Sequence, residues 1–331
     1  MYKGRVFLET YESIREWKEL NIINFQDDIV SLNNFHDHVM LKVLEVATKK
    51  MEIGPVPCDF SWFITGSGGR LEQGLISDQD HGIAYEISNA ENDLYFQVFG
   101  TEISNGLYEV GYPYCEGKVM SSNSRWRHSY DGWNIQLQNW VEDESWESIR
   151  YLQIFYDARV LHGKVAFIHQ LKSFIYNYQL QHPILLSRFT ANVEYVKNVI
   201  GPIGQLLVER HGLYQGCVNL KYSGFLPYVN AIRLLAIKEG IMETSTLDRM
   251  NGLIGMEKYE GLLKQCERNF MDLLTYRLSL SQAESYSDTH YLQIDKLPKK
   301  EQKDIKRIIK SGIKLHRAVI ALMKKGVYDG I

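Results

Sequence analysis

Cysteine is scarce in this chain, and the four present, Cys58, Cys115, Cys217 and Cys266, are scattered with no C-x-x-C pair. That pattern excludes a disulfide scaffold and suggests no zinc site, and a reducing, cytoplasmic compartment is the simplest expectation. Long apolar runs are missing too. No stretch of about 18 apolar residues occurs, and Met1 to Glu9 has no long apolar segment of the secretory kind. Neither export nor a membrane partner is therefore expected. Charge of one sign is also not in excess: the formal net charge is −3, which argues against a broad electrostatic footprint for nucleic acid. No internal repeat, low-complexity tract or Ser/Gly-rich linker breaks the chain, so any domain boundary is expected to be packed.

What is present is an ordinary globular composition, with 331 residues and 45% apolar content, enough for about two domains and a substantial core. Three regions are expected. Residues 1–57 read as a helical lead-in, with Val39, Met40, Val43, Leu44 and Ala47 on one face and the Ile53-Gly54-Pro55-Val56-Pro57 segment as its stop. Residues 58–163 read as a small α/β domain: a strand over Phe60 to Ile64, a partner at Ile83 to Tyr85, a helix from Asp93 to Val110, a loop at 111–124 and a strand from Tyr151 to Leu161. Residues 164–331 read as a helical bundle, with helices near 165–181, 187–211, 226–239, 256–283 and 298–324. In the last of these Ile305, Ile308, Ile309 and Ile313 form an apolar stripe beneath a charged face.

The chemistry concentrates between residues 61 and 86. Gly66, Gly68 and Gly69 let a backbone turn present N–H groups to an anion, and the Ser67 hydroxyl can donate to a phosphate oxygen. Eleven residues after Ser67 stands Asp78, followed at Asp80 by a second aspartate. In an extended segment both carboxylates leave one face, roughly 7 Å apart, a spacing suited to Mg²⁺ and to phosphoryl or nucleotidyl transfer. Gln79 would face the other way, in a structural role.

Gly66-Ser67, Gly69-Arg70, Glu72 and Ser77-Asp78-Gln79-Asp80 resemble the signature of the DNA polymerase beta-like nucleotidyltransferase superfamily. Within it, the bacterial signal-transduction nucleotidyltransferases related to the GlnD protein-PII uridylyltransferase are most similar. Gly111-Tyr112-Pro113-Tyr114-Cys115-Glu116-Gly117, Met120, Asn123 and Trp126-Arg127 resemble that family's next segment. Asp157-Ala158-Arg159, Leu220-Lys221, Gly224 and Arg233 fall in its order. The resemblance implies an α+β protein: a small polymerase beta-like nucleotidyltransferase domain with a helical lead-in and a C-terminal helical bundle.

It also implies a third metal carboxylate, expected at Asp157 because an aspartate in an apolar strand is costly unless bound or paired. The bland alternative is an ion pair with Arg159. Arg70 reads equally as a phosphate contact or as a brace with Glu72. Asn123, with Cys115, Met120, Trp126 and Arg127, would line a nucleotide or acceptor pocket, with Trp126 stacking on a base; an ordered surface loop is the alternative. Lys221 would neutralise a triphosphate, or is simply solvated. His36-Asp37-His38 looks like a metal cluster only superficially, and exposed helix residues are expected there.

Together these expectations describe an enzyme moving UMP or AMP from a nucleoside triphosphate to a hydroxyl, by resemblance on a regulatory protein. The metal would be two Mg²⁺ ions, or Mn²⁺, on Asp78, Asp80 and Asp157, with Gly66, Ser67, Gly68, Gly69, Arg70, Asn123 and Lys221 binding the nucleotide. Two other readings stand beside this one. One is a small-molecule transferase of the aminoglycoside-modifying type, with Glu109, Glu116 and Asp131 as acidic contributors. The other is a catalytically idle nucleotide sensor. The HD and ACT regions that GlnD carries are not found in this sequence, so removal of the nucleotide is not implied.

Overall fold

In the computed structural model, which describes residues 8–279 and 285–328, the first helix opens on a capping box. The Thr10 hydroxyl accepts from the Ser13 amide, and the Ser13 hydroxyl accepts from the Thr10 amide. That helix, α1 (Tyr11–Asn21), leads through a 3-10 turn at Ile22–Phe25 into α2 (Ile29–Lys50), capped by Asp28. The apolar face predicted for α2 is buried. The chain then forms β1 (Phe60–Ile64), a single helical turn α3 (Gly66–Gly69), and β2 (His81–Tyr85), which returns antiparallel to β1. Next come α4 (Ala90–Glu109), capped by Asn89, then β3 (Arg127–Ser129) and α5 (Tyr130–Asp143).

The strand expected from Tyr151 to Leu161 is a correction. Its first half is helical, α6 (Trp146–Tyr156), and only Arg159–Gly163 is a strand, β4. Ile149, Leu152 and Tyr156 are buried at helical spacing, and Ser145 caps the first turn by accepting from the Ser148 amide. A dense apolar run hid this 3.6-residue period.

The four strands lie in the order β3-β2-β1-β4, with β4 antiparallel to β1 and β3 parallel to β2. Trp62, Ile64, Ile83 and Tyr85 from the sheet share one core with Val39 and Val43 of α2 and Phe96 and Phe99 of α4. The lead-in helices therefore cover a sheet face, burying apolar surface that neither layer could bury alone. The first compact unit runs up to Asn139 and includes Asp157–Leu171; the second comprises Trp140–Tyr156 and the chain from Lys172 onward. The architecture is α+β, with helical N- and C-terminal regions and a small mixed sheet.

After α7 (Val165–Gln181), the second unit contains α8 (Ile184–Val193), β5 (Cys217–Asn219), a π-helical turn at Lys221–Phe225, α9 (Leu226–Glu239), α10 (Thr246–Ile254), α11 (Glu257–Leu278), β6 (Tyr291–Gln293) and α12 (Lys299–Tyr328). The helix expected over 187–211 stops at Val193, and Gly201, Pro202 and Gly204 lie in irregular chain beyond it. The end of the helix expected over 256–283 falls partly on residues outside the described ones. The β5-β6 pair and α10 were not anticipated. α12 packs on α8, α9 and α11, and its isoleucine stripe is buried as expected. The Arg249 guanidinium, also buried, donates to the carbonyls of Tyr156 and Glu243, capping the end of α6.

Burial, with Lys221 and Arg277 nearby, pushes the His290 imidazole down to about 3. The unfolded chain takes up this proton near pH 6.5 while the folded chain does not, so stability falls as pH drops from about 6.5 toward 3. His290→Gln should flatten that dependence by one proton. Urea unfolding across this pH range checks it; an unchanged slope would mean that His290 is protonated in the fold.

Candidate active site

Beyond β1 the backbone of Thr65 stays in register with the partner strand, its amide donating to the Asp80 carbonyl at 2.8 Å. On the other side, the Gln79 amide donates to Pro113 O at 3.1 Å and the His81 amide to Val119 O at 3.0 Å. Residues 78–80 are thus extended between Thr65 and the 113–119 loop. Alternation then separates the side chains. Gln79 is fully buried, its amide donating to the carbonyls of Ser104 and Tyr112.

Asp78 and Asp80 converge. A carboxylate oxygen of each and the Sγ of Cys115 all lie within 4.8 Å of one another. The stitching of 113–119 along 79–81 brings Cys115 there, and burial, with Asp80 alongside, pushes its thiol well above the usual range. Room for the Asp80 carboxylate depends on Gly66: a Cβ there would stand 2.0 Å from Asp80 Oδ2, and the backbone is left-handed at φ +56°. Two hard oxygen donors and one sulfur, all on partly exposed side chains, fit a divalent cation.

Behind the extended segment, the Trp62 indole donates to His81 Nδ1 at 3.1 Å, so His81 carries its proton on Nε2 and donates to Gln79 Oε1 at 3.0 Å. Burial holds His81 neutral, its pKa pushed down to about 3. This chain of hydrogen bonds locks the backbone from which both aspartates project.

Asp157 lies outside the Asp78, Asp80 and Cys115 group. It sits at the turn between α6 and β4, where its Oδ2 accepts from Arg70 Nη1 at 2.8 Å while Arg70 Nε donates to Glu72 at 2.9 Å. The expected alternative partner, Arg159, instead makes a two-pronged pair with Asp37 of α2, both contacts at 2.8 Å. Arg70 thus forms the brace, tying the α3 turn to the start of β4. Gly69 permits this close approach, since a Cβ there would lie 2.2 Å from the Asp157 carbonyl oxygen.

The α3 turn uses one of the amides expected to meet phosphate: Gly69 N–H donates to Thr65 O at 2.7 Å. Ser67 remains half-buried and Gly68 is buried. Asn123 serves its own loop, accepting from the Arg125 amide and donating to Lys118 O, and Trp126 is fully buried rather than presenting a stacking face. Lys221 belongs to the second unit, its ammonium 5.5 Å from the Tyr286 ring centre. His36, expected on an exposed face, is buried between the Tyr112 hydroxyl and Gly74 O at 2.8 and 2.9 Å, fixing the segment that leads to Asp78.

Cys115, which sequence reasoning assigned only to a pocket-lining loop, stands beside the two aspartates. Its place beside Asp80 comes from a pairing between segments distant in sequence, for which spacing offers no sign.

Converging carboxylates beside a glycine-built turn, on a small mixed sheet, are the marks of the nucleotidyltransferase class, and comparison with known families supports that class. Residues 27–147 match the family described as Putative nucleotidyltransferase DUF294, and residues 183–321 match the Putative nucleotidyltransferase substrate binding domain. The two matches lie on separate parts of the chain and agree in supporting a nucleotidyltransferase family, the first through its nucleotidyltransferase domain and the second through its substrate-binding domain. The first match takes in residues 66–80 and Cys115 but ends before Asp157. No curated protein matches the chain. Among the described residues, no helix is long and apolar enough to cross a membrane.

Proposed function

We propose that the chain transfers a nucleoside monophosphate, UMP or AMP, from a nucleoside triphosphate to a hydroxyl on a regulatory protein. The observation that carries this reading is the convergence of Asp78 and Asp80 beside the α3 turn. A divalent cation held there, Mg²⁺ or Mn²⁺, would neutralise the triphosphate and favour ionisation of the attacking hydroxyl. Ser67 and the backbone of Gly66 and Gly68 orient the phosphates, and the Trp62-His81-Gln79 chain keeps the two aspartates aimed. Arg70, held by Glu72 and Asp157, fixes the turn against the sheet. Positioning and fixed charge supply most of the rate.

The test is incubation with each α-³²P-labelled nucleoside triphosphate, Mg²⁺ or Mn²⁺, and cell lysate. Label should pass to a lysate protein. Changes to groups that merely support a ligand already cost about 10–100-fold, so Asp78→Asn and Asp80→Asn should each lose more than that. Transfer that persists undiminished in both variants would sink the reading.

A further inference from the structure

We infer that Cys115 is a third donor to the cation held by Asp78 and Asp80, and that its sulfur tilts the site from Mg²⁺ toward thiophilic divalent cations. This rests on the nucleotidyl-transfer reading for the presence of a metal, and on the geometry for the role of the thiol. Sγ lies within 4.8 Å of a carboxylate oxygen from each aspartate. The placement is built rather than accidental. Gln79 and His81 donate to the backbone of Pro113 and Val119 on either side of Cys115, Gln79 and Tyr114 form a parallel bridge, and the Lys118 amide closes a turn onto the Cys115 carbonyl at 2.9 Å. The first three contacts hold the loop against the segment that carries the aspartates, and the turn at 115–118 sets the course of the loop at Cys115 itself.

The donor chemistry then sets the preference. Mg²⁺ takes oxygen ligands and keeps much of its water, so a thiol adds little to its binding. Softer cations gain from sulfur, in the order set by ligand softness and metal type. When such a cation binds, the sulfur–metal bond forms and the thiol proton passes to solvent. A site of two carboxylates and one thiolate therefore suits Mn²⁺ adequately and Zn²⁺ or Cd²⁺ well.

Cd²⁺ is the probe, because thiolate ligation gives an ultraviolet sulfur-to-cadmium charge-transfer band that carboxylates do not. Titration of the full chain with Cd²⁺ should produce the band with one-to-one stoichiometry. Cys115→Ser should abolish it and weaken Cd²⁺ binding at least about tenfold, while Mg²⁺ affinity, measured by calorimetry, changes less than about threefold. Asp78→Asn/Asp80→Asn should also remove the band. If Cys115→Ser keeps it, the signal comes from Cys58, Cys217 or Cys266; if the double aspartate variant keeps it, the sulfur–cadmium bond forms without the aspartates; either result overturns the inference. If wild type binds Cd²⁺ through the aspartates with no band, Cys115 is not a donor although the transferase reading survives. If the band needs all three residues yet no triphosphate is ever turned over, the metal site stands and the transferase reading falls.

Discussion

Arg70→Met should destabilise the protein by about 3–5 kcal/mol, the usual cost of removing one partner from a buried ionic cluster. The guanidinium is flanked by two carboxylates, Glu72 and Asp157, whose side chains are 2% and 1% exposed. Methionine fills a similar volume but leaves both acids in a setting of low polarity. Arg70→Met combined with Glu72→Gln and Asp157→Asn should recover much of the loss, because no buried carboxylate is then left facing the place of the lost guanidinium. Urea unfolding of both variants at pH 7 measures the loss and its recovery. A deficit below about 1 kcal/mol at pH 7, the range of a surface pair, would show that water reaches this cluster.

Gly66→Ala should cost more activity than stability. A left-handed residue with a Cβ pays roughly 1–2 kcal/mol in backbone strain, but the new methyl also falls 2.0 Å from Asp80 Oδ2 and must drive that carboxylate aside. Misplacement by about 1 Å can cost on the order of 10²-fold in rate, so nucleotidyl transfer and Cd²⁺ affinity should both collapse while the protein stays folded. Gly54→Ala is the control. Gly54 is also left-handed, at φ +113°, but nothing lies within 4 Å of its Cβ direction, so it should show backbone strain alone. Full activity in Gly66→Ala would mean that the position of Asp80 is not critical.

Much of the fold, and the convergence of Asp78 and Asp80, was legible in the sequence. Local rules sufficed for β1, the α2 face, α7, α9 and the isoleucine stripe of α12, because in each the period of the apolar residues is unambiguous. The motif at 66–80 was readable because glycines and paired aspartates act at fixed short spacing. Reading failed where the answer depends on distant partners. Asp157 sits at a helix–strand turn, not mid-strand, and meets Arg70 rather than Arg159. Trp126 and Asn123 had the right residue types for a nucleotide pocket, yet tertiary packing uses them to order their own loop. Cys115 was visible as a loop residue, but its alignment with Asp80 is a product of strand-like pairing with 79–81.

The placement of β4 bears on how the chain comes to be folded during synthesis. β1 and β2 are near neighbours in sequence and can pair early, but the other edge of β1 is closed by β4, which emerges only after α5 and α6 have been made. Until then that edge offers unpaired N–H and C=O groups to any passing strand. The same late segment brings Asp157 to Arg70 and Arg159 to Asp37, so the two ion pairs that pin the turn form together with the strand. A ribosome that stalls between residues 139 and 157 would hold out a sheet with one raw edge and with Arg70 and Asp37 each short of a partner that β4 brings, the kind of nascent intermediate that chaperones capture.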